Sequence, residues 1–510
     1  MLTLTSQHAK GDSVSLLRSS TLRPLYTAEQ VGELDRRTIA SGIDGFALMQ
    51  RAASSAWHSF RARWPQARTV SVLCGGGNNG GDGHVFAALA AQSGLKVQRV
   101  TLKPINELKD DALKAAELAT AAGVGDDPWH TDLVLSGEVI VDALLGTGLN
   151  GEVAGRFRDA IQALNAAAKP VLAIDIPSGL AADTGAVLGV AVQAACTVTF
   201  IGDKIGLHTG DAPAYIGEID FRPLGVKSQA YFDIPPTAWR LNESLLAEAF
   251  KPRLRTAHKG DMGHVLVLGG APGFGGAALL ASQAAARLGA GKVSLATAPE
   301  HVVASLMRCP EVMAHGVRGA AELGELPEQS DVVVVGPGLG QGAWGQAMLQ
   351  SALNTDKSLV IDADGLNLLA SHWADTRREN WVLTPHPGEA ARLLGISPTE
   401  VQADRPAAAR ALQQQRGGTV ILKGAGTLIA GPSGLLVCPY GNPGMASGGM
   451  GDVLSGMLGA LIAQRHENEE SVWLATLVHA LAADAGAAKH GERGLLASDL
   501  ASYACSLINP

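Results

Sequence analysis

Residues 69–94 read TVSVLCGGGNNGGDGHVFAALAAQSG, and this stretch decides the fold class. TVSVLC is an apolar, β-branched run of strand length; a glycine-rich loop follows, and HVFAALAAQSG then carries helical spacing. A buried strand that passes through a glycine loop into a helix is the unit of a parallel sheet with ligand loops at its strand ends. Working outward, KVQRVTL (96–102), EVIVDALLG (138–146), PVLAIDIPS (170–178) and ACTVTFIG (195–202) read as further buried strands. RFRDAIQALNAAA (156–168) reads as an intervening helix. Upstream, TAEQVGELDRRTIASG (27–42) and GFALMQRAASSAWHSFRARW (45–64) read as helices, the first opened by a capping box at TAEQ.

Prolines and polar residues interrupt this pattern in RPLGVKSQAYFDIPPTAWRLNES (222–244), and residues 226–245 are read as a linker. A second alternation follows, with strands expected in HVLVLGG (264–270), KVSLATA (292–298), DVVVVGPG (331–338), SLVIDADG (358–365), WVLTPHP (381–387) and TVILKGAG (419–426). The expectation is therefore an α/β protein of two doubly wound domains, at 26–225 and 246–510, preceded by an N-terminal extension at 1–25. The two halves do not read as copies, because their glycine loops differ in sequence and position.

Composition agrees with this. A chain of 510 residues is too long for one ordinary core, and 46% hydrophobic with 17% charged residues excludes a largely disordered protein. A net charge of −8 gives no general reason to bind nucleic acid or an anionic membrane. The five cysteines are scattered without metal spacing, so buried thiols are expected. The apolar runs read as too short and too broken for a transmembrane helix, and residues 1–25 lack the apolar core of a secretion signal. A cytoplasmic protein is expected.

The first glycine loop contains the spacing G-x-G-x-x-G as Gly75, Gly77 and Gly80. An ordinary dinucleotide fold places a carboxylate after its second strand to hold a ribose. Here that strand runs into Thr101, Leu102, Lys103 and Pro104, so the ordinary reading loses support while a phosphate cradle at a helix N-terminus stays open. Other strand ends carry Asp142, Asp175 with Ser178, and Lys204, and in a parallel sheet these ends face one crevice. The oxygen atoms of Asn79, Asp142 and Ser178 suit a hard, weakly held cation rather than zinc. The alternative is that Asn78 and Asp82 only cap the following helix, but capping does not call for the other polar strand ends.

Together, TAEQVGELDRRTI, GGGNNGGDG, DALLGTGLNGEV and DIPSG resemble the YjeF N-terminal family, the NAD(P)H-hydrate epimerases, over residues 26–225. The resemblance implies a Rossmann-like three-layer sandwich. It implies that Asn78, Asn79, Gly80, Gly81 and Asp82 contact the hydrated cofactor, as do Gly146, Thr147, Gly148, Leu149, Asn150, Gly151, Glu152 and Asp175. It also implies potassium at Asn79, Asp142 and Ser178. Asp82 is the candidate acid/base, since epimerising a carbon that bears both a hydroxyl and a ring nitrogen requires proton transfer as that bond opens and recloses. Gln50 departs from the pattern, standing where many relatives are expected to have Glu.

The strongest single signal lies further on, in YGNPGMASGGMGDVLSGMLGALIAQ (440–464). A run of small residues ending in Gly448, Gly449, Gly451 and Asp452 opens onto a helix. Backbone N–H groups there can approach phosphate oxygens without a Cβ in the way, and the helix dipole favours the anion. A carboxylate in such an anion hole makes sense as a base for a hydroxyl about to attack phosphorus. The alternative is a loop with a capping Asp. Upstream, the glycine turn from Lys423 to Thr427 suits a nucleotide's phosphates or sugar. Gly336 to Gly340, His386 and Glu389 stand at further strand ends. Asp362 and Asp364 read equally as turn-formers or as site residues.

These motifs resemble the ADP/ATP-dependent NAD(P)H-hydrate dehydratases, a branch of the ribokinase-like fold, from about His258 to near the C-terminus. The resemblance implies ADP contacts at Lys423, Gly424, Ala425, Gly426 and Thr427. It implies more at Asn442, Pro443, Gly444, Met445, Ala446, Ser447, Gly448, Gly449, Met450 and Gly451. Hydrate contacts are implied at Ala277, Gly338, His386 and Asp452. Phe274 stands where a Tyr is expected in many relatives.

The expected chemistry is repair of hydrated NADH and NADPH (NADHX and NADPHX): Asp452 activates the misplaced hydroxyl for phosphorylation by ADP, with Mg²⁺ accompanying the nucleotide, and elimination restores the cofactor. An epimerase in the same chain recovers the hydrate epimer that the dehydratase refuses. The competing readings are a ribokinase-like small-molecule kinase with a fused nucleotide-binding domain, and a nucleotide-sensing protein without turnover. Ala-rich helices, if exposed, are compatible with a homo-oligomer.

Overall fold

The computed structural model describes residues 22–464 and 468–509, so most of the expected N-terminal extension lies outside the described residues. Among these residues the strands fall into two sheets. The first is parallel throughout, in the order Asp126–Pro128, Lys96–Thr101, Thr69–Cys74, Val139–Ala143, Val171–Ile174, Cys196–Phe200, Glu218–Arg222. Successive strands add in one direction from Thr69–Cys74, and then in the other direction beginning with Val139–Ala143. The loops leaving these two neighbours therefore splay apart and open a crevice at the strand C-termini. Apolar side chains cover both sheet faces. Phe60, Val72, Phe86 and Val141 lie in one buried cluster, and Leu73, Val100, Ile140 and Ile161 in another.

The helices follow their sequence signals, with one shift. Thr27 caps Ala28–Ala40 in a full capping box with Gln30, and Asp44 caps Gly45–Arg63. The helix expected to begin at His84 begins instead at Asn78 and runs to Gln92, so Asp82 belongs to a helix rather than to the loop. Helix propensity argues against a start in NNGGDG, because glycine is a poor helix former. Packing overrides it. A Cβ at Gly80 would stand 2.1 Å from the Gly75 carbonyl oxygen, so the absence of one lets the first helical turn press onto the end of its own strand.

The second sheet is mixed, which the expectation of a parallel sheet did not anticipate. Its order is Met313–Gly316, Lys292–Thr297, His264–Leu268, Val332–Val335, Ser358–Ile361, Trp381–Leu383, Thr419–Leu422, Thr427–Gly431, Gly434–Cys438, Ala238–Arg240, Arg23–Tyr26, Asp203–Lys204. The glycine turn at Lys423–Thr427 leads into an antiparallel hairpin, Thr427–Gly431 with Gly434–Cys438. The stretch read as a linker supplies Ala238–Arg240, parallel to that hairpin's second strand and antiparallel to Arg23–Tyr26. Residues from the first half thus complete an edge of the second sheet, whose backbone groups otherwise lack partners.

Helix Met450–Ala463 is buried nearly all round and packs against Gly275–Arg287. The alanines of the latter helix are not exposed: Ala278, Ala281, Ala284 and Ala285 all lie within the chain's own core. Glu469–His490 is the one described helix long and apolar enough to cross a membrane, which the reading of short, broken apolar runs overlooked, and 72% of its most apolar stretch is buried within the protein.

The two halves meet where Gly426 abuts residues 208–209. Thr209 Oγ1 donates to the Gly426 carbonyl at 3.0 Å, and Arg405 Nε donates to Thr209 Oγ1 at 3.3 Å. Gly426 has φ +60°, and a Cβ there would stand 1.8 Å from the His208 carbonyl oxygen. Gly426→Ala is expected to destabilise the chain by about 1–3 kcal/mol through overpacking of this junction, read as a lower midpoint of urea unfolding. An unchanged midpoint would show that the halves adjust freely.

Candidate functional site

The crevice of the first sheet holds a cavity of about 660 Å³. It is floored by the glycine loop and the first turns of Asn78–Gln92, and walled by residues 144–150. Among the expected hydrate-contacting residues, Asn78, Asn79, Asp82, Gly146, Thr147, Gly148, Leu149, Asn150 and Asp175 line it. Gly80 and Gly81 are buried behind it in packing roles, and Gly151 and Glu152 are exposed beyond its lining. Helix Asn78–Gln92 has Gly77 at its cap and no side-chain cap bond. Neither Asn78 nor Asp82 is therefore a capping residue, and the first N–H groups are left for a ligand.

Asp142, Ser178 and Asn79 gather beneath this loop. Ser178 Oγ donates to Asp142 Oδ1 at 2.6 Å, and the Ser178 N–H to Oδ2 at 2.8 Å. Asn79 Nδ2 donates to the Leu145 carbonyl at 3.0 Å, yet Asn79 Oδ1 is buried without any hydrogen-bond partner. Burial pushes the Asp142 carboxyl up to about 6 even though Ser178 and Leu144 donate to it. An unpartnered amide oxygen beside a buried carboxyl and a hydroxyl makes a set of oxygen donors of the kind a hard cation accepts.

A second polar group faces the cavity. Lys204 is fully buried and donates to Asp175, to Thr199 Oγ1 at 2.9 Å and to the Phe200 carbonyl at 3.3 Å. Asp35 and Asp82 line the same cavity. Burial raises Asp82 well above the usual carboxylate range, with Asp175 and Asp35 adding to the rise and Lys204 opposing it. Burial likewise lifts Asp35 to about 6. Sequence reasoning missed Asp35; it belongs to an ordinary amphipathic helix, and no local motif distinguishes it from the charged residues around it.

In the second half, Asp452 sits in the first turn of Met450–Ala463, whose cap Gly449 makes no side-chain cap bond. Asp452 is thus not a cap. Burial raises it to about 7, Asp362 and Asp364 adding to the rise and Lys423 opposing it. Lys423 Nζ lies 2.7 Å from Asp362 Oδ1, and Ser455 Oγ donates to Asp362 Oδ2 at 2.8 Å. Burial works against the charge on Lys423, but Asp362 and Glu389 outweigh it and hold the ammonium. The bonds of Asp362 and Asp364 show that neither is only a turn-former. Asp362 is a buried ion-pair partner, and Asp364 accepts from the Gly340 N–H at 2.9 Å, tying down the Gly336–Gly340 loop.

Other expected contacts cluster here. A Cβ at Gly451 would stand 3.2 Å from Lys423 Nζ, and one at Gly338 3.2 Å from the Ala277 Cβ. Ala446, Ser447 and Gly448 are exposed along the loop, as are Gly424 and Ala425 across from it. Met450 is a core residue, and Gly426 faces the domain junction. His386 caps helix Pro387–Leu394 through Nδ1, which accepts from the Gly388 N–H at 3.0 Å. Its Nε2 lies 3.2 Å from Glu389 Oε1, so the imidazole's structural work is visible in its bonds. Asn442 accepts from the Gly444 N–H and donates to Asp484, a loop anchor that the sequence reading did not single out.

Residues 265–505 match a family described as NAD(P)H-hydrate dehydratase, and residues 45–206 match the YjeF-related protein N-terminus. The chain is 49% identical over 488 residues to the bifunctional NAD(P)H-hydrate repair enzyme Nnr of Coxiella burnetii, covering 95% of this chain and 99% of that one. It is 43% identical over 470 residues to the enzyme of the same name from Escherichia coli, covering 92% and 90%. Among solved structures, the ADP/ATP-dependent NAD(P)H-hydrate dehydratase of Bacillus subtilis, co-crystallised with ATP/Mg²⁺, is 28% identical, with a TM-score of 0.46, covering 52% of this chain and 96% of that one.

Proposed function

The chain belongs to the bifunctional NAD(P)H-hydrate repair enzymes, and from that premise we propose how its two sites divide the work. It returns hydrated NADH and NADPH to the reduced cofactors, the first half interconverting the R and S hydrates and the second dehydrating the S form. The observation that carries the dehydratase reading is Asp452, held near neutrality at the head of a helix beside the Lys423–Asp362 pair.

ADP is the proposed phosphoryl donor, arriving with Mg²⁺ as its counterion. The exposed loop from Ala446 to Gly448 and the turn at Gly424 and Ala425 receive its phosphates, with Lys423 supplying positive charge. Asp452 takes the proton of the hydrate's hydroxyl, whose oxygen bonds to the terminal phosphorus as the bond to AMP breaks. Phosphate then leaves with the carbon–oxygen electron pair, and the neighbouring ring carbon gives up a proton to restore the double bond. Ala277, Gly338 and His386 are the proposed contacts to the hydrate.

In the first half, Asp82 is the proposed acid/base. Potassium is proposed at Asn79, Asp142 and Ser178, a reading supported by the unpartnered Asn79 Oδ1. When bound, it would complete that oxygen set and fix the loop at residues 144–146. The chain's five unpaired cysteines fit the proposed cytoplasmic location.

The test is to mix the chain with R- or S-hydrates of NADH, add ADP or ATP, and follow the absorbance of the reduced cofactor. Recovery from both hydrates is expected with ADP; no recovery with either nucleotide removes the dehydratase assignment. Replacing potassium by a large organic cation is expected to slow recovery from the R hydrate alone, and an unchanged rate removes potassium from the site.

A further inference from the structure

We infer that Asp35 is a second proton-transfer residue of the epimerase, working as the partner of Asp82. The inference rests on reading the first half as a hydrate epimerase, and it begins from an imbalance in the cavity. Three carboxyl groups, Asp35, Asp82 and Asp175, line one cavity, and they come from separate elements: helix Ala28–Ala40, helix Asn78–Gln92 and the end of strand Val171–Ile174. Against them stands the fully buried Lys204, which is bonded to Asp175. That pair is neutral as a unit. Asp35 and Asp82 are left with no hydrogen bond or ion pair among the described residues.

Two carboxyl groups that face one cavity without partners, where burial penalises the charged form, do not both ionise readily, and a proton on one favours ionisation of the other. A buried carboxyl with only a packing role is ordinarily tied down by partners, as Asp203 is here by His208. Asp35 is instead left loose and directed at the cavity. The other groups facing it are Lys204, Asp175 and Tyr231, whose hydroxyl is already committed to the Ile201 carbonyl at 2.8 Å.

The chemistry calls for such a pair. Opening the bond between the hydroxyl-bearing carbon and the ring nitrogen yields an aldehyde and an N–H. One proton must leave the hydroxyl and one must reach the nitrogen, while the electrons of the broken bond go to nitrogen. A carboxylate and a carboxylic acid do this together with no net change. Asp35 takes the hydroxyl proton and Asp82, the more deeply enclosed, gives its own to nitrogen. Rotation of the aldehyde exposes its other face. Nitrogen then attacks, returns its proton to Asp82, and the new hydroxyl recovers one from Asp35. Lys204 is a positioning residue, bonded to Asp175 so that Asp35 and Asp82 remain the two carboxyl groups of the cavity without a cationic partner.

The experiment measures turnover of the R hydrate of NADH by the full chain, above its spontaneous epimerisation, with dehydration of the S hydrate as the control. Asp35→Asn is expected to lower kcat on the R hydrate by about 10²–10⁴-fold with little change in KM, while S-hydrate dehydration is unchanged. The unsubstituted chain should lose R-hydrate turnover at acid pH as Asp35 takes up a proton. Asp35→Asn should flatten that acid limb, and Asp35→Glu should restore part of the rate together with the limb. Full turnover by Asp35→Asn, or a rise in KM alone, overturns the inference and leaves the epimerase reading standing. Loss of both activities in both variants assigns Asp35 to folding and equally overturns it. Absence of epimerisation by the unsubstituted chain removes the epimerase reading itself, and this inference with it.

Discussion

Asp452→Asn is expected to abolish ADP-dependent recovery of NADH from either hydrate, a loss of about 10²–10⁴-fold or more in kcat, while leaving the interconversion of R and S hydrates untouched. The amide is isosteric and cannot accept the hydroxyl proton. It also removes a charge that burial already penalises, so the fold should not suffer. The pH profile gives a second check. A base must be unprotonated to act, and Asp452 is raised to about 7 by burial and by Asp362 and Asp364. Dehydration should therefore climb as pH rises through neutrality and level off above it. A flat rate down to pH about 5, near the ordinary carboxylate range, would mean that some other group limits the reaction. Retention of activity by Asp452→Asn would remove it from the mechanism.

The two halves differed in how much of this could be read without coordinates. The alternation of strands and helices was plain, because buried parallel strands are continuous apolar runs that local pattern detects. Asp452 was legible for a local reason too: its loop, its carboxylate and its helix are contiguous in sequence. What could not be read is what depends on distant pairing. Ala238–Arg240 is three residues beside prolines, and only the unpaired edge formed by Gly434–Cys438 makes it a strand. The start of helix Asn78–Gln92 was hidden because propensity and packing disagree there, and packing wins. Asp362 read as either a turn-former or a site residue until Lys423 and Ser455, far away in sequence, were seen to bond it.

The same distinction shapes the second large effect. Asp82→Asn is expected to leave dehydration of the S hydrate at its normal rate and to slow use of the R hydrate to its spontaneous epimerisation, a loss of about 10²–10⁴-fold in the catalysed step. The sign follows from the pocket. Burial, Asp175 and Asp35 all push Asp82 upward and only Lys204 opposes them, which favours its protonated, proton-donating form. The asparagine keeps the shape and a hydrogen-bond donor but has no proton to give. Mixed hydrates supplied with ADP should then be repaired in two phases: a fast one consuming the S form, and a slow one set by the uncatalysed supply from R. Because Asp452→Asn abolishes repair of both hydrates and Asp82→Asn slows only that of the R form, the pair separates the two sites in a single assay. Equal rates on R and S hydrates in Asp82→Asn would take Asp82 out of the chemistry. The proton would then have to come from elsewhere among the carboxyls that Lys204 leaves unpaired.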